Sequence, residues 1–311
     1  MNVKISFTLF QKLIKTKKES EFMETRGFHI EPKPYKISSI LNDVLQNNGI
    51  YNNPKKYLPI KSGFDELDKI TKGFHRSDLI LLGARPGMGK TSFALNIAAN
   101  VAADNNTVVF FSLENTKETI ASHLLSSQTL IPMRNFRAGK FSEEERMKIL
   151  IANNTLSEYN LYIYDTPSMT VSEMEMVLRN IYNNIDLIVI DYLQLIQRDE
   201  TIENRSLQTT EIITNLKCLA QDLNVPIILL SQLPRSVENR ENRRPQLPDL
   251  DNIGSVGQDS NVVLFLYRDD YYSENHSNIS PCECIVAKNR HGERETANLY
   301  WLAKYQRFTS Q

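Results

Sequence analysis

The sequence predicts an α/β fold: a mostly parallel, twisted sheet with helices on both faces. Three observations carry this. Six apolar runs of strand length recur from residue 78 onward, most are continuously apolar rather than alternating, and segments of helical periodicity separate them. The size fits, since 311 residues with 41% hydrophobic content suffice for one large core, or one core with a small appendage.

Residues 1–34 show no clean periodicity and end in "EPKPYK", whose prolines disfavour helix. They read as a short N-terminal extension. Residues 35–56 hold one short helix and a polar linker. Ile37, Ile40, Leu41, Val44 and Leu45 form the stripe of an amphipathic helix, and Asn48 and Gly49 stop it. Such a helix packs either on its own core or on a neighbouring subunit, and spacing leaves both open. The main domain, residues 57–311, then alternates strand and helix. The strand runs are "DLILLG" (78–83), "TVVFFS" (107–112), "NLYIYD" (160–165), "IDLIVID" (185–191), "VPIILLS" (225–231) and "NVVLFLY" (261–267). Helices fit near 90–103, 116–127, 144–154, 172–183 and 206–222. The stretch "CECIVAKNRHGERETANLYW" reads as two strands joined by a tight turn at His291-Gly292.

The bulk properties exclude several classes. A net charge of −1 with 23% charged residues is no polycation, so nucleic acid would have to meet a local basic patch. Three cysteines make no disulfide framework and point to a reducing compartment. No apolar run reaches the roughly 18 residues of a membrane span. The basic start has only a short, interrupted apolar stretch, which argues against a secretory signal, and Glu19 and Glu21 argue against an organelle transit peptide. The histidines show no metal-ligand spacing, and Cys282 and Cys284 share one face of a strand, as packed thiols would.

The chemistry concentrates in "GARPGMGKTS" (83–92), which sits after a buried strand and before a helix. The pattern of a phosphate-binding loop is met, with Ala84 in the place of the first glycine. Residues Ala84, Arg85, Pro86, Gly87, Met88, Gly89, Lys90, Thr91 and Ser92 are the expected nucleotide-binding set. Gly87 and Gly89 let the backbone approach phosphate oxygens and turn N–H groups inward. The helix that follows aims its positive end at them. Lys90 is expected on the β/γ-phosphates and the Thr91 hydroxyl on Mg²⁺. Asp191, ending "IDLIVID", stands where a second metal ligand belongs. Glu114 follows "VVFFSL", just past another strand end, where a base could polarise water.

Further motifs extend the pattern. They are "SGFDELDKITKGF" (62–74), "FFSLEN" (110–115), "DLIVIDYLQLI" (186–196), "LAQDLNVPIILLSQLPRSVENR" (219–240), "GQDSNVVLFLYRDDYY" (257–272) and "AKNRHG" (287–292). In this order, residues 36–311 resemble the C-terminal motor part of DnaB-type replicative DNA helicases, a hexameric branch of the RecA-like P-loop NTPases. The resemblance implies an ATP- and Mg²⁺-dependent helicase that forms a homo-oligomeric ring, most simply a hexamer. It would translocate 5′→3′ on single-stranded DNA and unwind duplex at replication forks. It implies Glu114 as hydrolytic base and Gln232 as γ-phosphate sensor. Arg290, with Lys288, would reach as an arginine finger into a neighbouring subunit's site. The helix near 36–47 matches the linker helix that packs on the adjacent protomer. Primase and a helicase loader are the implied partners. The location would be the cytoplasm of a bacterial or phage-infected cell, with the plastid stroma as alternative.

The departures are equally specific. The family's DNA-contacting loop corresponds to 247–259, where relatives carry Arg-Glu after "DL" and this chain has Asp251 and Asn252. Thr214 stands where relatives usually have Arg. Backbone contacts around Asn252 and Gly254, with Arg235 and Arg240 of "RSVENRENRRP", are the expected DNA ligands. The family's N-terminal collar domain would exceed a hundred residues, yet only some 30 precede the linker helix here. These departures motivate an alternative, a truncated helicase-like subunit that joins or regulates full-length rings. A RecA-like ATPase of recombination or repair without unwinding is another, disfavoured by "DYLQL", the linker helix and "SQLPRS". Trp301 lies in a strand pattern and is expected in the core.

Overall fold

The computed structural model describes residues 36–42, 58–181, 184–198, 205–253, 256–272 and 278–310. The chain divides at Tyr57/Leu58 into two units. In the first, helix α1 (Ile37–Asn42) exposes Ile37, Ile40 and Leu41. Val44, Leu45 and the extension before residue 36 lie outside the described residues.

The second unit, Leu58–Gln311, is built on a nine-stranded sheet. Its strands are β1 (Leu79–Ala84), β2 (Val108–Ser112), β3 (Leu161–Tyr164), β4 (Leu187–Asp191), β5 (Ile227–Gln232), β6 (Val262–Tyr267), β7 (Ile279–Asn289), β8 (Thr296–Leu302) and β9 (Arg307–Ser310). They lie in the order β3-β2-β4-β5-β1-β6-β7-β8-β9. Every neighbour pair from β3 to β6 is parallel, and β6-β7-β8-β9 is antiparallel. Helices α2 (Asp65–Thr71), α3 (Lys90–Ala103), α4 (Lys117–Thr129), α5 (Met133–Ala138), α6 (Glu143–Ser157), α7 (Val171–Ile181), α8 (Arg205–Leu223) and α9 (Val256–Asp259) make the connections.

The continuous apolar runs have a direct cause. On β1, Ile80, Leu82 and Ala84 enter one core with Phe93, Ala94 and Ile97 of α3. Leu79 and Leu81 enter the opposite core with Met174 of α7 and Ile213 and Leu216 of α8. A strand covered on both faces has no solvent side, so alternation disappears. Strand β3 lies at the sheet edge, is only half-buried, and is accordingly the shortest of the six expected strands. Several helices carry their own start signals. Thr116 accepts the Thr119 N–H at the head of α4, and Ser142 and Glu145 form a reciprocal capping box on α6.

Four of these helices and strands escape the sequence reading, the four-residue α9 among them. Helices α2 and α5 have seven and six residues, too few for a 3.6-residue period to register. Strand β9 has four residues and one buried side chain, Phe308. That phenylalanine nevertheless closes the core, 4.5 Å from the Trp301 ring and 5.1 Å from Phe93. Trp301 itself is 4% exposed on β8, and Cys282 and Cys284 are buried free thiols on β7. Phe308→Ala removes a buried ring at this three-way contact and should cost about 3–5 kcal/mol of stability, read as a lower midpoint in denaturant unfolding.

Candidate functional site

Strand β1 ends at Ala84, and the chain turns through Arg85–Gly89 into α3. The turn needs two left-handed residues, which Gly87 (φ 79°) and Gly89 (φ 94°) supply. A side chain at Gly87 would put its Cβ 2.7 Å from the Tyr271 ring, and one at Gly89 would sit 2.9 Å from Phe308. Gly89 heads α3 without a side-chain cap, so the first N–H groups of that helix keep their capacity for an external anion. The loop opens onto a cavity of about 600 Å³. Ala84, Arg85, Pro86, Gly87, Gly89, Lys90, Thr91 and Ser92 line it. Met88 departs from the expected set, because its side chain is buried in the core beneath the loop and leaves only its peptide for a ligand. Arg85 also points its guanidinium elsewhere, to Glu238 Oε1 (2.8 Å) and the Leu233 carbonyl (2.7 Å).

Parallel pairing brings the polar residues together. Ser112↔Asp191 and Ala84↔Gln232 are register partners, so the ends of β1, β2, β4 and β5 meet at one edge. Thr91 Oγ1 donates to Asp191 Oδ2 at 2.6 Å. Asp191 is fully buried, and its Oδ1 has no hydrogen-bond partner. The Lys90 ammonium stands 4.0 Å from that oxygen, beyond hydrogen-bond reach, and 4.4 Å from the Tyr192 ring centre. Burial pushes the Asp191 carboxyl up, and Lys90 and Thr91 only partly counter it. Burial likewise holds Lys90 below the usual lysine range, against the pull of Asp191 and Glu114. A buried carboxylate with an orphan oxygen beside a hydroxyl is short of positive charge. Those two oxygen donors fit a hard divalent cation such as Mg²⁺.

Glu114 is exposed on the cavity wall, and Gln232 lines it from the end of β5. Gln194, from "DYLQL", brackets the Gln232 peptide: its Oε1 accepts the Gln232 N–H at 3.2 Å and its Nε2 donates to the Gln232 carbonyl at 3.1 Å. Sequence reasoning singled out the motif without this purpose. It also missed Asn115, His123, Arg137, Tyr192 and Gln306 in the lining. His123 and Arg137 come from α4 and α5, and no linear spacing joins them to the phosphate loop.

Arg290 lies elsewhere. It follows β7, its N–H bonds the Asn261 carbonyl at 3.2 Å, and β7 runs antiparallel to β6. That puts it at the opening edge of β1, about 20 Å along the strands from its own phosphate loop. Its side chain is exposed. Lys288 does not accompany it outward. Its ammonium donates to the Gly257 and Gln258 carbonyls at 3.0 and 2.6 Å, capping the end of α9. Within the single chain Lys288 thus holds the end of α9, while the Arg290 side chain is exposed.

The expected DNA ligands also separate. Arg235 is exposed on the 3-10 turn Arg235–Asn239. Arg240 instead grips Asp249 with two 2.8 Å bonds, and Arg243 and Arg244 are drawn onto Tyr272 and Glu283. A bidentate guanidinium–carboxylate pair occupies the donors a phosphate would need. Asn252 and Asp251 fall in the 3-10 turn Leu247–Ile253, their side chains outside the described residues, as is Gly254 altogether. Thr214 is turned back onto the Thr210 carbonyl of α8.

Comparison with known proteins accords with this geometry. Residues 59–310 match a family model described as the DnaB-like helicase C terminal domain. The chain belongs to this family. It is 43% identical over 265 residues to the replicative DNA helicase DnaB of Geobacillus stearothermophilus, covering 84% of this chain and 58% of that protein. The replicative DNA helicase DnaC of Bacillus subtilis (strain 168) is 42% identical over the same shares. A probable replicative DNA helicase of Trieres chinensis is 41% identical, over 83% of this chain and 59% of that protein. The chain thus spans under three fifths of each of these relatives. Among solved structures, one described as an ATPase domain superposes with a TM-score of 0.80 at 32% identity, covering 90% of this chain and all of that one. A DnaB-like replicative helicase, described with its interactions with primase, gives a TM-score of 0.79 at 32% identity, over 97% and 71% of the two chains. The fold is the RecA-like ATPase core of these DnaB-like proteins.

One lining residue carries a pH signature. His123 Nδ1 is buried without a hydrogen-bond partner, and burial, with Arg137 nearby, holds its pKa below the ordinary 6.5. The native state therefore favours the neutral ring, and acidification below 6.5 costs stability until that depressed pKa is passed. In histidine NMR titrations, His123 should protonate below 6.5 in the free protein and shift upward when pyrophosphate enters the cavity.

Proposed function

We propose that this chain is an ATP-driven DNA helicase motor that assembles as a homo-oligomeric ring. It moves 5′→3′ along single-stranded DNA and unwinds duplex at replication forks. The observation that supports the reading is the separation of the cavity residues and Arg290 to opposite ends of the sheet. Lys90, Thr91, Glu114 and Gln232 line a single cavity, with Asp191 bonded to Thr91 behind them, while Arg290 stands at the far edge, about 20 Å away. Such an arginine can complete only another copy's site, so turnover requires assembly. The exposed face of Ile37, Ile40 and Leu41 on α1 is a second surface that association would cover. Membership of the family and similarity to proteins described as replicative DNA helicases support the same reading.

In this mechanism the loop N–H groups and Lys90 bind the β- and γ-phosphates. Thr91 and Asp191 would hold Mg²⁺, which would supply positive charge to the phosphate oxygens. Glu114 takes the proton of the attacking water as its oxygen bonds the γ-phosphorus. The bond from phosphorus to the bridging oxygen breaks, and ADP and phosphate leave. Gln232 senses the γ-position, and the segment after it carries the change toward the DNA loop at 247–259. Arg290 of a neighbouring copy stabilises the transition-state charge. Primase and a loader are the proposed partners; the structural relative described with primase supports the first. The proposed location is the cytoplasm of a bacterial or phage-infected cell. The plastid stroma is the alternative. No described helix is long and apolar enough to cross a membrane.

Glu114→Gln should retain nucleotide binding, measured by calorimetry, while steady-state hydrolysis falls to the level of Lys90→Ala. A mixing experiment tests the shared site directly. Arg290→Ala should lose about 10³–10⁵ in turnover and Lys90→Ala should be inactive, and mixed rings should regain part of the activity, because some interfaces then pair an intact loop with an intact arginine. Absence of recovery in rings of proven mixed composition would refute a finger acting in trans.

A further inference from the structure

Arg85 sits inside the phosphate loop, yet its side chain is 8% exposed and committed to the segment that follows β5. Its Nε donates to Glu238 Oε1 at 2.8 Å, and its second donor reaches the Leu233 carbonyl at 2.7 Å. The backbone repeats the link, since the Leu233 N–H bonds the Ala84 carbonyl at 3.0 Å. Glu238 lies on the 3-10 turn Arg235–Asn239, whose Val237 is fully buried and holds the turn to the core. Two residues further, Arg240 grips both oxygens of Asp249, which also accepts the Gln246 N–H at 2.7 Å. Asp249 lies near the start of the 3-10 turn Leu247–Ile253, and Leu250 of that turn shares the core of Leu233 and Val237. Two charge-assisted links and a buried turn therefore form one unbroken path from the phosphate loop to the 247–253 turn. The pair at Asp249, with one partner 9% exposed, has the geometry in which such bonds hold register.

We propose that Glu238 and Asp249 are positioning residues that couple the nucleotide loop to the DNA loop. Through Arg85 and Arg240, a shift of the phosphate loop moves the 247–253 turn, and strand engagement at that turn is returned to the nucleotide. This rests on the proposed reading of the protein as a DNA-stimulated ATPase. Neither carboxylate itself lines the cavity, and Glu238 meets it only through Arg85, so their loss should affect communication rather than chemistry. The path also accounts for the basic segment 235–244, where Arg240 acts as a strut rather than as a DNA ligand.

The test uses the full chain with Glu238→Gln, Asp249→Asn and the double variant. Hydrolysis is measured without and with oligodeoxythymidylate, alongside DNA affinity by fluorescence anisotropy and thermal melting. The expected result is basal turnover and DNA affinity within about twofold of the parent, with DNA stimulation reduced about 3- to 10-fold in each single variant. The double variant should lose little more, because both lie on one path. Glu238→Asp keeps the charge and should restore part of the stimulation, which separates coupling from a folding defect. Stimulation equal to the parent in both single variants overturns the coupling and leaves the helicase reading intact. Losses that multiply in the double variant overturn the single path. A parent chain that hydrolyses ATP without any response to DNA overturns the helicase reading and the coupling together.

Discussion

Everything in the site depends on a buried carboxylate that is not electrostatically satisfied. Asp191 closes β4 with no exposure, shares one oxygen with the Thr91 hydroxyl, and leaves the other without a hydrogen bond. Desolvation of a carboxylate is expensive unless charge or hydrogen bonds compensate. Lys90 stands too far away to do so fully. The fold tolerates this because β4 is locked between β2 and β5, with Ile188, Val189 and Ile190 buried on both faces. The strand cannot retreat to hydrate its terminal residue. The result is a cavity with a standing demand for positive charge at its floor and a supply of N–H donors at its rim.

Sheet topology sets how that demand is met. Parallel pairing sends the ends of β1, β2, β4 and β5 to one edge, so residues far apart in sequence converge there. The antiparallel return of β7 sends Arg290 to the other edge. The cavity side chains and Arg290 thus stand at opposite edges of one sheet. The loop glycines contribute in the opposite sense, through absence. Tyr271, on the turn after β6, and Phe308, on β9, occupy the space where a Cβ would stand, so the loop packs closely against both.

The basic segment after β5 is largely tied up within the chain. "RSVENRENRRP" has four arginines and invites a nucleic-acid reading. Arg240, Arg243 and Arg244 are instead committed to Asp249, to the Tyr272 face and to Glu283. Arg235 alone of the four is both exposed and without one of these intrachain attachments. The same holds for Lys288, which closes α9 together with Lys217.

The sequence by itself determined the layer architecture and the local chemistry. A strand covered on both faces must be apolar at every position, so β1, β2, β4, β5 and β6 are written as runs. The phosphate loop needs glycine at two left-handed positions, and Lys90 and Thr91 follow by adjacency. Asp191 and Glu114 were legible because each ends or follows an apolar run, and strand ends of a parallel sheet share an edge, whereas Gln232 was implied by the family resemblance. The tertiary structure alone decided which side chains are available. Whether Arg240 faces DNA or Asp249, whether Lys288 faces outward or onto α9, and whether His123 and Arg137 reach the cavity all depend on contacts between elements distant in sequence. Those contacts carry no period and no spacing. Burial and charge pairing, which only the packed chain defines, settle them.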